Sequence, residues 1–242
     1  TSRGLGDVYK RQPQGKLLEF NMQEVTIPGR STDTVRFTPF IYGTNANKWE
    51  PGAKNPPLYK VMLFTRRDGA YREYMPLKIG FGKTELVDGR LTRFDKELKL
   101  VKAGYNAAAD RKTTLAELKA LKAKGNNTIC PDYPQPGWFY DLCDELGLYV
   151  IDCANINAPE KRDDRKVGGT PSNDPSLADE YLERVKAMYY RSRNHSCVIA
   201  FALGGESGNG YNMYKAYEWL KSVEKSRPVI CADADGEWNS DL

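Results

Sequence analysis

Arg193-Asn-His-Ser-Cys-Val-Ile-Ala-Phe-Ala-Leu-Gly-Gly-Glu206-Ser-Gly-Asn-Gly210 is the stretch that decides the fold. Val198–Leu203 is an unbroken apolar run of strand length, and it opens directly into a glycine-rich turn that holds one carboxylate, Glu206. Continuous rather than alternating apolar character marks a strand buried on both faces, as in a parallel sheet covered by helices. In such folds sites are built at the carboxyl ends of the strands. A glutamate there, beside apolar strands, is expected to have its charged form disfavoured by desolvation, which suits a general acid. The plainer alternative is a glutamate that caps the following helix. A phosphate loop is not indicated, because no Gly-Lys-Ser/Thr follows and an acidic residue in the loop would repel phosphate.

The same alternation extends to both sides. Leu98–Gly104 reads as a strand, and Thr114-Leu-Ala-Glu117 as a capping box opening a helix with Leu115, Leu118 and Leu121 on one face. Asn127–Ile129 is a short strand, and Trp138 to Leu146 a helix stopped by Gly147. Leu148–Ala154 is a buried strand, and Asp174-Pro175 starts a helix carrying Leu177, Tyr181, Val185 and Met188. Asn209 to Ser226 is a helix and Val229–Ala232 a strand. A doubly wound sheet closes at five strands and four helices, whereas an eight-stranded barrel needs three more strand–helix units.

Before residue 95 the period is that of β-structure. Leu17–Ile27, Val35–Phe40, Leu58–Thr65 and Tyr71–Phe81 are rich in β-branched and aromatic residues, and Glu85–Leu91 reads as a hairpin on Asp88-Gly89. Short strands at this density predict a partial sandwich module over residues 13–83, followed by an α/β domain over 84–242. Residues 1–12, TSRGLGDVYKRQ, have neither helical nor strand periodicity and no apolar core of a signal peptide, so they read as a non-native, adapter-like tail. The ending Glu237-Trp-Asn-Ser-Asp-Leu242 has no cap, and the chain reads as a fragment whose compartment is left open.

Composition narrows the function classes. The 242 residues carry a net charge of +4 with no dense basic run, so no nucleic-acid partner is expected. No segment approaches the ~18 consecutive apolar residues of a membrane-spanning helix, and no membrane partner is expected. Five cysteines without a Cys-x-x-Cys pair, and a single histidine, His195, indicate neither a zinc cage nor a disulfide framework. No cofactor is expected. His195 reads as a structural histidine bonded to backbone, Cys153 as a packed thiol, and Glu160–Lys166 as a solvated loop or lid.

Several blocks together resemble glycoside hydrolase family 2, the β-galactosidase type. They are Asp141-Leu-Cys-Asp-Glu-Leu-Gly-Leu-Tyr-Val-Ile-Asp152, Ala-Asn155-Ile, Arg193-Asn-His195, Leu-Gly-x-Glu206-Ser-Gly and Ser226-Arg-Pro228, in the family's order. Upstream, Lys48-Trp49-Glu50, Pro57-Leu-Tyr59 and Gly80-Phe81 are similar to the family's immunoglobulin-like domain. The resemblance implies a partial immunoglobulin-like β-sandwich followed by a truncated (β/α)8 barrel of the TIM type. It implies a retaining hydrolase of β-glycosides, with Glu206 as acid/base at the end of strand four and a nucleophilic glutamate near strand seven, in a missing C-terminal barrel half. Asp152, Asp233 and Asp235 are then structural or rim residues.

The departures from the family lie at sugar-gripping positions. The Asn before the acid/base is Gly205 here, and the Glu-Ala-Asn-Ile-Glu-x-His block is Cys153-Ala-Asn-Ile-Asn157-Ala-Pro159. In the β-galactosidases that Glu and His hold magnesium with the acid/base, so no metal site is expected here. The Arg-Thr-Ser-His-Tyr-Pro block is shortened to Cys130-Pro-Asp132-Tyr-Pro134. Asp132, Asn157, Gly205 and Trp238 are the positions expected to meet a carbohydrate substrate. Two functions follow: a divergent hydrolase, inactive as this fragment, or a carbohydrate-binding relative that has lost turnover. An open set of five barrel strands is also expected to expose apolar edges and to associate.

Overall fold

A computed structural model describes residues 2–11, 17–37, 48–51 and 56–242. The chain divides into two compact units, Thr1–Trp49 with Pro56–Phe81, and Glu50–Asn55 with Gly82–Leu242.

The first unit is an antiparallel sheet of β1 (Ser2–Arg11), β2 (Leu17–Ile27), β3 (Tyr59–Arg67) and β4 (Ala70–Ile79), in the order β2-β1-β3-β4. The expectation that residues 1–12 stand outside the fold is corrected here, since β1 pairs with both β2 and β3. A ladder is made of backbone N–H and C=O groups, so a segment with no side-chain alternation can still complete it. Asp68 and Gly69 turn β3 into β4 with φ of 53° and 77°, the left-handed pair that a two-residue hairpin requires. Of the strand expected over Val35–Phe40, residues 35–37 take no regular structure and 38–40 lie outside the described residues. Among the described residues of this unit these four strands form a single sheet.

The second unit opens with a small antiparallel sheet of β5 (Thr84–Val87), β6 (Arg90–Arg93) and β7 (Lys96–Glu97). The β5–β6 hairpin turns on Asp88-Gly89, as the sequence predicts. Then follow β8 (Lys102–Tyr105), α1 (Arg111–Ala123), β9 (Thr128–Pro131), α2 (Gly137–Leu146), β10 (Tyr149–Cys153), α3 (Ala178–Ser192), β11 (Val198–Ala202), α4 (Tyr211–Val223) and β12 (Val229–Ile230).

The five strands β8 to β12 are parallel, and their spatial order equals their chain order. That order decides between the two α/β alternatives. A doubly wound sheet reverses its order at a switch point, whereas a barrel never does. With right-handed crossovers all advancing in one direction, the helices gather on one face of the sheet. The architecture is a partial TIM-type barrel. Every residue of β10 is buried, and Leu118, Phe139, Tyr140, Met188, Ile199, Phe201 and Leu220 are fully enclosed. Each such side chain contributes about 1.5–3 kcal/mol of apolar burial.

The helix ends show the local rules at work. α1 begins four residues before the expected capping box: Asp110 is the N-cap and accepts from the N–H groups of Lys112 and Thr113. Thr114 is buried inside the helix, and Glu117 accepts from the Tyr105 hydroxyl at 2.6 Å instead of closing a box. α2 ends on Gly147 in the left-handed region at φ 67°, which relieves its last carbonyls.

Candidate active site

The carboxyl ends of β9, β10, β11 and β12 each deliver one segment to the rim of the sheet. The turn after β11 carries Gly205 and Glu206. It is held from two directions. Asp233, which follows β12, accepts the N–H groups of Ser207 and Gly208 on one oxygen, at 2.8 and 2.7 Å. The long β10–α3 loop supplies Thr170 and Ser172, whose hydroxyls both donate to the Ser207 carbonyl at 2.7 Å. Gly208 sits at φ 70°, and a Cβ there would collide with the Arg162 carbonyl, so the turn needs glycine at this point.

Glu206 does not cap α4. The first N–H of that helix, on Tyr211, is taken by the Asn173 side chain at 3.0 Å. The Glu206 carboxylate instead faces Arg162, with Nη1–Oε1 at 3.3 Å. The desolvation expected for Glu206 is not found: its side chain is 67% exposed, because the turn lifts it above the strand end into the open mouth. Arg162 also binds the other oxygen of Asp233 at 2.8 Å, and its Nε lies 3.8 Å from Asp163. Of the run Glu160–Lys166, expected to be a solvated loop or lid, Arg162 and Arg165 both reach inward, Arg162 to Asp233 and Arg165 to Glu237. Arg162, Arg165, Gly208, Asn209, Asp233 and Asp235 border an open hollow of about 100 Å³.

The remaining predicted positions divide. Asn157 donates its amide to the Tyr133 hydroxyl at 3.1 Å, joining the loops after β9 and β10. A Cβ on Gly205 would lie 3.8 Å from the Asn157 carboxamide, so Asn157 and Gly205 are neighbours. Asp132 is exposed beside Tyr133, with its N–H bonded to the Tyr105 carbonyl at 3.0 Å. Trp238 packs on Tyr214 and Tyr217 of α4 with ring centroids at 5.2 and 5.6 Å and is 55% exposed. Arg162 and Tyr133 are the residues that sequence reasoning missed. The mixed-sign run around Arg162 gave no sign of its partners, which come from residues 206 and 233.

Other groups take structural roles. Burial pushes the Cys153 thiol up to about 12, so it is no nucleophile near neutrality. Asp152 is fully buried, accepts from the Tyr140 hydroxyl at 2.8 Å, and is held above the usual carboxylate range by burial. His195 pairs through Nδ1 with Asp144 Oδ2 at 2.8 Å rather than with backbone, and Asp144 Oδ1 accepts the Cys197 N–H at 2.7 Å. Potential ligand atoms of Asp144, His195 and Cys197 lie within 4.8 Å of one another. Two of them are spent on each other, and burial pushes the Cys197 thiol well up, so hydrogen bonding accounts for this cluster.

The magnesium site implied by the resemblance fails on the donors present. Asn157 offers only a neutral amide oxygen, Pro159 has no side-chain donor, and Glu206 faces a guanidinium. Magnesium takes an octahedron of oxygens, several of them charged or water. The donor set does not fit.

A partial parallel barrel with a carboxylate on the turn after its fourth strand defines a TIM-barrel protein of the type that builds sites at strand ends. The model of "Glycosyl hydrolases family 2, TIM barrel domain" matches residues 105–241, and the chain belongs to glycoside hydrolase family 2. It is 34% identical over 185 residues to a β-galactosidase of Vibrio cholerae, covering 72% of this chain and 18% of that protein. It is 36% identical over 190 residues to a β-galactosidase of Lactococcus lactis, with the same coverage of 72% and 18%. The chain thus spans about a fifth of the length of these relatives.

Among solved structures, a family 2 glycosyl hydrolase of Bacteroides cellulosilyticus is similar with TM-score 0.73 and 18% identity, over 96% of this chain and 32% of that one. A β-glucuronidase of Parabacteroides merdae is similar with TM-score 0.73 and 18% identity, over 95% and 30%. At this identity these two likenesses speak to the fold alone.

Proposed function

We propose that this chain is part of a retaining hydrolase of β-glycosidic, galactoside-like bonds, in which Glu206 protonates the departing glycosidic oxygen and later takes a proton from water. The observation that carries this reading is a carboxylate held at the open mouth of the barrel by two linked contacts, Arg162 on its side chain and Asp233 on its turn. Retention needs a second carboxyl group roughly 5–5.5 Å away, across the anomeric carbon. In this reading that nucleophile comes from a later strand, so residues 1–242 alone do not turn over. Asp132, Asn157 and Gly205 face the sugar, and Trp238 offers an outer stacking surface. The sheet of β1 to β4 belongs to an immunoglobulin-like sandwich.

The experiment uses aryl β-galactosides of differing leaving-group acidity. The 242-residue chain is expected to hydrolyse none of them. A longer polypeptide that continues the barrel is expected to hydrolyse them, and Glu206→Ala to slow the poorest leaving group by about 10²–10⁴-fold. The same variant should spare kcat/KM for a dinitrophenyl leaving group, which departs without protonation, while its kcat falls because the step that activates water is slowed. Equal losses of kcat/KM on both would remove Glu206 from the acid role.

The second reading is a carbohydrate-binding relative without turnover. It is favoured by Gly205, Asn157 and Pro159 standing where the resemblance implies sugar and metal contacts. Glycoside binding by calorimetry without hydrolysis in the longer polypeptide would select it.

A further inference from the structure

We propose that the hollow beside Asp235, together with the indole of Trp238, is a subsite for a sugar on the leaving side of the scissile bond, so that the substrate is an oligosaccharide. Which side the hollow serves follows from the glycosidase reading; what it binds follows from its own groups. Arg162 joins Glu206 to Asp233, and Asp233 returns through its hydrogen bonds to the turn that carries Glu206. Arg162 and Asp233 also border the hollow, so this Arg162 circuit sets the hollow one side chain away from the Glu206 carboxylate. Gly205 meets Asn157 of the β10 loop, whereas the hollow reaches Asp233 and Asp235 after β12. A general acid protonates the oxygen between the two groups it separates. In that reading the first sugar faces Asn157, which leaves the hollow for the second.

The free groups select the ligand. Both arginines are spent, Arg162 on Glu206 and Asp233, and Arg165 on Glu237, which disfavours an anion. Asp235 is exposed and has no hydrogen bond or ion pair among the described residues. It is held in a turn with Gly236, at φ 51° and 83°, closed by the Glu237 N–H on the Ala234 carbonyl at 2.9 Å. Glu237 binds Arg165 and Asn209, both on the border of the hollow, which sets the exposed Trp238 at its edge. The indole is backed by the rings of Tyr214 and Tyr217, and Asn239 beside it is fully buried and exchanges hydrogen bonds with Asn209 at 2.8 and 3.0 Å. A carboxylate without a partner accepts from hydroxyls, and an indole takes an apolar C–H face. A pyranose presents both, hydroxyls at its edge and C–H groups on its face. The platform is fixed before binding, which lowers the cost of ordering it.

Binding, not turnover, is the readout. Galactotriose is titrated into the 242-residue chain, with galactose in parallel, and followed through the ¹H–¹⁵N signals of the Gly236 amide and the Trp238 indole. The trisaccharide should shift both signals saturably. Galactose should bind at least about tenfold more weakly, since one ring cannot reach Asn157 and lie on the indole together. Trp238→Ala, read at Gly236, should weaken the trisaccharide by about tenfold, and Asp235→Asn, which keeps the turn, by roughly threefold or more. Trp238→Leu, which fills the space on Tyr214 without a ring face, is read in the same way and serves if the alanine variant unfolds. Glu206→Gln should leave the shifts in place, so that loss of the acid role and loss of this subsite are told apart. No saturable shift in the folded wild type overturns the proposal. So does equal affinity for galactose, or a folded Trp238→Ala or Trp238→Leu variant with unchanged affinity. A response to nitrophenyl galactoside with none to the trisaccharide also overturns it, because the indole would then be a platform for flat leaving groups.

Discussion

Gly205 has room for a side chain. A Cβ there would meet Asn157 and the Ile156 carbonyl at 3.8–3.9 Å, which is ordinary contact distance, and its backbone lies outside the left-handed region. Gly205→Asn is therefore expected to leave stability within about 0.5 kcal/mol. It should place a carboxamide beside Asn157 and tighten glycoside binding, read by calorimetry; unchanged affinity would show that position 205 does not face the sugar. Three residues on, the opposite holds, and Gly208 tolerates no such change. Asp144 carries a different kind of load. It is buried, with one oxygen on His195 and the other on the Cys197 N–H. Removing one partner of a buried pair costs about 3–5 kcal/mol, so Asp144→Ala should lower the urea midpoint sharply. A change under about 1 kcal/mol would mean that the contact is made with water in solution.

At the scale of elements, the turn joining α4 to β12 is organised by one carboxylate. Glu224 accepts the N–H groups of Ser226 and Arg227 at 2.9 and 3.1 Å and the Arg227 side chain at 3.0 Å. Burial alone would raise its pKa, but Arg227 and these donors outweigh it and hold the carboxyl below its ordinary 4.5. A depressed folded-state value means that the contribution is complete above about pH 4.5 and is lost as pH falls through the lower folded value. The stability difference between wild type and Glu224→Gln should thus be flat above pH 5 and shrink below 4.5. A difference that grows on acidification would reverse the assignment. The motif containing Arg227 was legible in the sequence as a block, though its partner was not. The same division runs through the fold. Strands β9 to β12 and helices α2 to α4 follow from apolar period and Gly or Pro punctuation, which act within a few residues. The α1 cap was misplaced because Asp110 and Thr114 are both good caps and only the packing of Thr114 chooses between them. β1 was missed because its pairing is carried by backbone. The Arg162 circuit was hidden because its members, 162, 206 and 233, meet only when β10, β11 and β12 are neighbours.

At the scale of the molecule, the question is what an open set of barrel strands does with its edges. The expectation is of exposed apolar edges, and the described residues show an asymmetry between the two. β12 is closed by the chain that follows it. Asp241 gives its N–H to the Val229 carbonyl at 2.8 Å and accepts the Val229 N–H at 2.7 Å, and Ser240 accepts the Cys231 N–H at 3.1 Å. Asp241 also accepts from the Tyr217 hydroxyl at 2.7 Å and from Lys221 at 2.9 Å, tying α4 to the same edge. β8 has a strand partner on one side only, and next to it Val101 is 50% exposed. An unpaired edge is a template for a second chain. Association of the 242-residue chain should therefore run through β8 while the β12 edge stays shut. Deleting Ser240–Leu242 opens the second edge and strands the Val229 N–H. The loss of several hydrogen bonds at about 1 kcal/mol each predicts roughly 2–4 kcal/mol of destabilisation and a shift in sedimentation from discrete small species to open-ended assemblies, since two edges propagate where one terminates. Asp241→Asn, which keeps the main-chain bond, should lose stability without gaining assemblies. If the truncated chain sediments as the wild type does, the β12 edge is not what limits association.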